Sequence, residues 1–121
     1  MTRVLIVIAA AMGAAGVVLA ALGSHAAADS RLATIASSML LFHAPVILAA
    51  VGLAARQLVH EGIARGAAIG FVAGAALFAG DLMAREFAGR ALFPMATPSG
   101  GTILILSWLA LALAGLTKPS S

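Results

Sequence analysis

The sequence predicts an all-α membrane protein, an up-down bundle of four transmembrane helices in a single domain over residues 1–121. Hydrophobic residues make up 63% of the chain and charged residues 9%, which leaves too little polar surface to cover a soluble domain. Four apolar stretches cover residues 4–23, 32–55, 63–84 and 98–117. Each has about the 20 residues that a helix needs to cross the hydrocarbon core. Because the connections are short, sequential helices run antiparallel.

The first stretch has a second interpretation as a secretory signal peptide. Arg3 precedes it, and small residues at 26–28 follow it, as at a cleavage site. The apolar run, however, is longer than the roughly 7–15 residues of a signal-peptide core. We therefore expect it to be retained as the first helix, with the mature protein beginning at Met1 or Thr2.

The second stretch carries His43 in an uncharged run, two positions before Pro45. The proline ring removes one backbone donor and frees the carbonyl of Leu41. We expect His43 to bond across helices to such a carbonyl or to a Ser or Thr hydroxyl. A His25–His43 pair could bind copper or haem only at one depth, and their expected depths differ. Since the chain also has no cysteine, the sequence indicates no metal site and no cofactor.

The third stretch places Gly66, Gly70 and Gly74 four residues apart, on one helix face. In lipid, glycine faces that allow close backbone approach are a main signal for helix association. Gly16 and Ala20 form a weaker version on the first helix. We expect the glycine face to pack against a helix of the same chain rather than another subunit.

Asp81 lies near the far end of the third stretch, about 27 Å from its start by helical rise and so close to the membrane boundary. Arg85 follows four residues later, in the favoured order for a helical ion pair, and Glu86 with Arg90 repeats the spacing. We expect the helix to continue for one or two turns, with Asp81 paired to Arg85 or to a group of the first connection. This predicts an anchoring role rather than a proton-relay or ligand-binding role.

The fourth stretch opens with Thr97 and Pro98, followed by Gly100 and Gly101. The pattern predicts Thr97 as the N-cap and Pro98 in the first turn, with glycines that permit close packing. The exposed N–H groups of such a helix start could instead bind an anion or a lipid phosphate. Trp108 falls too deep for an interfacial belt, so we expect it to pack.

Several polar residues fall in the half of the bilayer opposite the termini. One interpretation is a shallow polar pocket for a metal, a haem, a quinone or a lipid headgroup, because ionisable groups in membranes usually face partners. The other is a set of helix ends and satisfied core groups. The residues concerned are His25, His43, Asp81, Arg85 and Thr97.

Four segments, "ALGSHAAA", "LFHAPVILAAVGL", "ALFAGDLMAREFAGR" and "FPMATPSGGTILILSWLALALAGL", resemble the domain of unknown function 423 family, which includes the transmembrane-protein-256-like proteins. The resemblance covers nearly the whole chain and implies four helices, but no mechanism. The chain departs from the family pattern at Asp81, because many members have Ser-Leu where this chain has Asp81 and Leu82. The most specific matches are Gly23 and His25, His43 and Ala44, Thr97 and Pro98, Gly100 and Gly101, and Trp108.

Three functional classes are open to such a chain: an enzyme, a structural subunit, and a binding or transport protein. No Ser-His-acid arrangement, metal-ligand motif or phosphate loop indicates an enzyme. The sequence favours a non-catalytic accessory or structural subunit that packs through glycine-rich helix faces, within a larger membrane complex or a homo-oligomer. The alternative is binding or transport of a lipid, a quinone or an ion by the polar residues. The basic residues are scattered singly, so membrane lipids rather than nucleic acid are the expected surroundings.

Basic residues predict a topology, which a fusion experiment tests. Arg3, Arg56, Arg65 and Lys118 lie at the end with both termini, and Arg31, Arg85 and Arg90 lie at the other. The positive-inside rule therefore predicts that both termini lie in the cytoplasm. We expect the membrane to be a bacterial inner membrane. A reporter that is active only in the periplasm, fused after Lys118, should be inactive. An active fusion would show the reverse orientation.

Overall fold

The computed structural model describes residues 1–25 and 31–119, except for the side chain of His25. Within these residues the chain forms four α-helices, each long and apolar enough to cross a membrane. The small residues 26–28 of the possible cleavage site lie outside the described residues. The helices are α1 (Thr2–His25), α2 (Arg31–Ala55), α3 (Glu61–Met83) and α4 (Ala96–Leu116).

The predicted helices are confirmed, with ends that differ by at most two residues. The third helix continues beyond Met83 as a π-helical turn, Ala84–Ala88, as the sequence predicted. It ends at Gly89, whose φ of 74° lies in the left-handed region that glycine adopts without steric cost. Arg90 therefore lies off the helix, and the predicted second ion pair with Glu86 does not form.

Contacts at the two ends of the bundle establish the up-down arrangement. At one end, the Arg65 guanidinium at the start of α3 donates to the Thr2 hydroxyl of α1 at 3.3 Å. At the same end, the His60 N–H donates to the carbonyl of Ala114, near the end of α4, at 3.0 Å. The end of α3 lies with the start of α4 at the opposite side. Sequential helices are thus antiparallel.

The helices α2 and α3 form the centre of the bundle. The outer helix α1 packs mainly against α2, and α4 packs mainly against α3. Fully buried Phe71 and Ile47 are the largest apolar side chains at this centre. Of the most apolar stretch of each helix, 22% is buried in α1 and in α4, against 39% in α2 and 44% in α3. Most of the lipid-facing surface therefore belongs to α1 and α4.

The predicted glycine face of α3 packs within the chain, as expected, but without Gly66. A Cβ added at Gly70 would lie 3.2 Å from the Cβ of Ser107 on α4, and one at Gly74 would lie 3.0 Å from the carbonyl oxygen of Gly100. Gly66, by contrast, faces open space. Gly66 lies one turn before Gly70, but it is exposed and a Cβ there would meet no atom of α4 within 4 Å, although α4 still contacts the start of α3 through Ala114.

The α1–α2 seam follows the same principle. A Cβ at Gly16 would lie 2.8 Å from Cγ of Leu41, so a larger residue there would have to displace the Leu41 side chain. The buried hydroxyl of Ser37 donates to the carbonyl of Gly16 at 2.7 Å. Close approach and an interhelical hydrogen bond therefore occur at the same position, as is usual for helix pairs in lipid.

Alanine substitutions at two glycines of α3 test the seam with α4. We expect Gly74→Ala to destabilise the protein by about 1–3 kcal/mol, because the new methyl group would press on a backbone carbonyl that cannot rotate away. Gly66→Ala adds the same methyl group to open space and should be neutral or slightly stabilising. Thermal unfolding in detergent measures both. Equal stability of the two variants would contradict the tight packing of α3 on α4.

Candidate functional site

Asp81 is the one acidic side chain that is fully buried among the described residues, with 0% of its surface exposed. It lies in the last turn of α3, where the helix passes into the π-helical turn. A charge withdrawn from water is costly unless it is paired and hydrogen-bonded. Its surroundings therefore determine whether it is a structural or a reactive group.

Three donors from three segments contact the Asp81 carboxylate. The backbone N–H of Leu92 donates to Oδ1 at 2.8 Å. The Nε of Arg85 donates to Oδ2 at 3.1 Å, and the hydroxyl of Thr97 donates to the same oxygen. The carboxylate thus joins the end of α3, the loop that follows it and the first turn of α4. Both oxygens are satisfied inside the protein.

The predicted ion pair between Asp81 and Arg85 is confirmed, but its environment differs from that of an exposed helix end. The carboxylate is fully buried, whereas the Arg85 side chain is 43% exposed. The guanidinium can therefore reach the membrane surface with its Nη groups while its Nε holds the carboxylate. This is the usual solution for a basic side chain at the end of a membrane helix.

The predicted N-cap role of Thr97 is wrong. The helix α4 begins at Ala96, and the N-cap is Met95, whose φ of 69° is left-handed and whose side chain makes no capping bond. Thr97 lies one residue into the helix, with Pro98 next to it in the first turn, as predicted. Its hydroxyl donates to the Asp81 carboxylate in a charge-assisted hydrogen bond, whereas an N-cap hydroxyl would accept from a backbone N–H of the first turn.

His43 forms a second, separate polar site in the interior. Its Nδ1 lies 2.7 Å from the carbonyl oxygen of Met39, one turn earlier in α2, and the indole Nε1 of Trp108 donates to its Nε2 at 3.2 Å. Because a carbonyl can only accept and an indole N–H can only donate, Nδ1 carries the hydrogen and Nε2 is the acceptor. The predicted cross-helix bond exists, but its partner is Trp108 rather than a carbonyl or a hydroxyl.

Three rings pack together around this bond. Trp108 meets Phe71 edge-on with centroids 5.0 Å apart, and the His43 ring lies 5.7 Å from Phe71 and 5.9 Å from Trp108. Such tilted and edge-on contacts between aromatic rings add to the energy of apolar burial. The packing role predicted for Trp108 agrees with this arrangement, although 45% of its surface remains exposed.

The five polar residues predicted to share one half of the bilayer do not form one cluster. Asp81, Arg85 and Thr97 come together, whereas His43 hydrogen-bonds to Met39 and Trp108 and to none of these three. The side chain of His25 lies outside the described residues. Among the described residues, no three His, Asp or Glu side chains lie close enough together to hold a metal ion.

A lipid-facing groove borders the His43 site, and we call it the Trp108 groove. It lies between α2 and α4, with α3 behind it, and Trp108 forms part of its wall. Asp81 does not line this groove, nor does it line the groove formed by the π-helical turn and the following loop. The lining residues of the Trp108 groove are Met39, His43, Phe78, Gly101, Leu104, Ile105 and Trp108.

Three residues that contribute to these sites or to the helix ends were not predicted from the sequence. The N–H of Leu92 has no signature in a side chain, and only the loop geometry brings it to Asp81. Phe71 carries no chemical signal, although its place one residue after Gly70 could have indicated a core position. His60 could have been found as a cap: it precedes Glu61 at the start of α3, and its Nδ1 accepts from the N–H of Ile63 at 3.2 Å.

A charge-removing pair of variants tests the Asp81 site. In Asp81→Asn, one of the two acceptor oxygens becomes an amide NH2 group, so either the bond from Leu92 or the bonds from Arg85 and Thr97 would be lost, and the remaining oxygen carries no charge. We expect the unfolding midpoint to fall by several degrees. Glu86→Gln removes the same charge one turn later from a residue without an ion pair and should change it little. Equal midpoints would show that the carboxylate does not hold the helix end.

Comparison with known proteins identifies the family but no relative of known function. The family model described as "Protein of unknown function (DUF423)" matches residues 19–101, which is more than half of the chain. The match begins in α1, includes all of α2, α3 and the Asp81 site, and ends in the first turns of α4. No curated protein and no solved structure shows significant similarity to the chain. The chain belongs to the DUF423 family, and it is a small integral membrane protein.

Proposed function

We propose that the protein is a non-catalytic accessory or structural subunit of the membrane, which packs its outer surface against other membrane proteins or against further copies of itself. The observation that carries the proposal is the Asp81 site. Its carboxylate accepts hydrogen bonds from three donors. These bonds join α3, the following loop and α4. The group stabilises the fold and does not line the two neighbouring grooves.

The other buried polar groups support the same proposal. Among the described residues, no buried side-chain nitrogen or oxygen lacks a hydrogen-bond partner. Ser37 bonds to α1, Ser107 bonds within α4, and His43 bonds to its own helix and to Trp108. A catalytic or ion-binding site usually keeps at least one polar group available for its substrate. These groups are engaged in hydrogen bonds within and between the helices.

The surface offers a place for a partner helix on α3. Gly66, Ile69, Ala73 and Ala76 are exposed and recur at helical spacing on the face of α3 that α2 and α4 leave free. A Cβ at Gly66 would meet no other atom within 4 Å, so another helix could approach closely at this level. Gly66, which packs against no helix of its own chain, would thus contact the partner helix.

We propose the topology predicted from the charges together with this function. Both termini lie in the cytoplasm, and the membrane is a bacterial inner membrane. The proposal is supported by the positions of the basic residues, since Arg3 and Arg65 lie at the end of the bundle that holds Thr2 and Ala114. The Asp81 site would then face the periplasmic side.

Isolation from native membranes tests the proposed function. We expect the tagged protein, after cross-linking and mild detergent extraction, to appear with a stoichiometric membrane protein or with a second copy. Gly66→Leu should reduce this association without loss of the fold, because the leucine would project into open space on the free face of α3. Gly52→Leu makes the same change on α2, also in open space, and serves as the control. A protein that is isolated as a monomer would contradict the proposal.

A further inference from the structure

The Trp108 groove is an apolar depression on the side of the bundle. Its floor includes Leu104, which is buried, and its rim includes Ile105 and Trp108, which are largely exposed. Gly101 widens the groove, because glycine has no side chain to fill it. The groove therefore opens sideways, towards the lipid, and not towards either membrane surface.

The depth of the groove places it in the hydrocarbon region. Gly101 lies five residues after the start of α4 at Ala96, and Trp108 lies twelve residues after it. By helical rise the groove runs from about 8 Å to about 18 Å along α4. A helix of this length spans a core about 30 Å thick, so these levels meet acyl chains rather than headgroups or water.

The chemistry of the lining determines what can be recognised there. His43 is the one titratable side chain that lines the groove, and both of its ring nitrogens are occupied by Met39 and Trp108. The indole N–H of Trp108 is used in the same bond. The lining side chains therefore offer no free donor or acceptor, whereas a quinone ring, a sterol hydroxyl or an ion would need one. A hydrocarbon chain needs none.

The layout of the lining also suits a hydrocarbon chain. The groove has a volume of about 290 Å³, and its lining residues come from α2, α3 and α4. A flexible chain can follow the groove between α2 and α4 and contact both walls.

We propose that the Trp108 groove binds one hydrocarbon chain of a membrane lipid, held against α3 between α2 and α4. This goes beyond the proposed structural role, because it assigns a ligand class to a defined site. Dispersion contacts with walls on both sides hold the chain, since transfer from bulk lipid gives little hydrophobic gain. The lipid headgroup extends towards the end of the bundle that holds the Asp81 site, which is the nearer membrane surface.

The single tryptophan of the chain makes the site observable. Trp108 is the only tryptophan and there is no tyrosine, so the fluorescence of the protein reports the groove. The purified protein in detergent is titrated with a phosphatidylcholine that carries bromine atoms on its chains, which quench an indole on contact. We expect the quenching to reach a plateau near one lipid per chain. Quenching that only follows the mole fraction of brominated lipid would overturn the proposal.

Two variants of α4 locate the effect. Gly101→Leu should abolish the plateau, because the side chain fills the groove, while its Cβ meets the Phe78 ring only at ordinary contact distances of 3.7 Å and 3.8 Å. Gly115→Leu adds the same side chain in open space on the same helix and should retain the plateau. A plateau that persists in Gly101→Leu would place the lipid elsewhere and overturn the assignment.

A second pair of variants keeps the test decisive if Gly101→Leu does not fold. Ile105→Ala removes part of the rim from an exposed position, so the fold should persist while the plateau is lost. Leu109→Ala makes a similar change at an equally exposed residue that does not line the groove. Native mass spectrometry gives an independent readout: one retained lipid per chain is expected in the wild type and in Leu109→Ala. Equal retention in Ile105→Ala would contradict the proposal.

Discussion

The burial of one carboxylate is the constraint on which one end of this bundle depends. Asp81 is withdrawn completely from solvent at the point where α3 ends, and an unpaired charge there would be strongly destabilising. The chain meets this constraint with a guanidinium one turn later, a hydroxyl from α4 and an N–H from the connecting loop. The same three bonds therefore fix the path of the loop, the start of α4 and the register of α4 against α3.

That register is what allows the glycine seam to close. With the start of α4 held at Asp81, Gly100 lies against Gly74, and the approach is so close that a Cβ on Gly100 would lie 2.8 Å from the backbone nitrogen of Phe78. All three atoms that this Cβ would meet belong to the backbone of α3, so any residue larger than glycine at position 100 would clash. The hydrogen bonds to Asp81 and the glycines between α3 and α4 therefore act together to set how α4 packs on α3.

The sequence was most informative where a single local rule applied. Helix length follows from the thickness of the hydrocarbon core, and the Asp81–Arg85 pair follows from the spacing of four residues on one helix. It was less informative where the outcome depends on the relative placement of two helices. The spacing of Gly66, Gly70 and Gly74 could not show that Gly70 and Gly74 meet α4 while Gly66 faces away from it. Likewise, no local pattern connects His43 with Trp108, which are 65 residues apart.

The helix α4 packs closely against α3 but stands further from α2. The side chains at each interface explain the difference. Against α3, glycines bring the backbones together and leave no space. Against α2, large side chains meet instead, and the direct polar link is the bond from Trp108 to His43. An indole and an imidazole hold their two backbones apart, so a gap remains beside them. The Trp108 groove is therefore a consequence of how α2 and α4 are joined, and whatever fills it also contacts the bond that joins them.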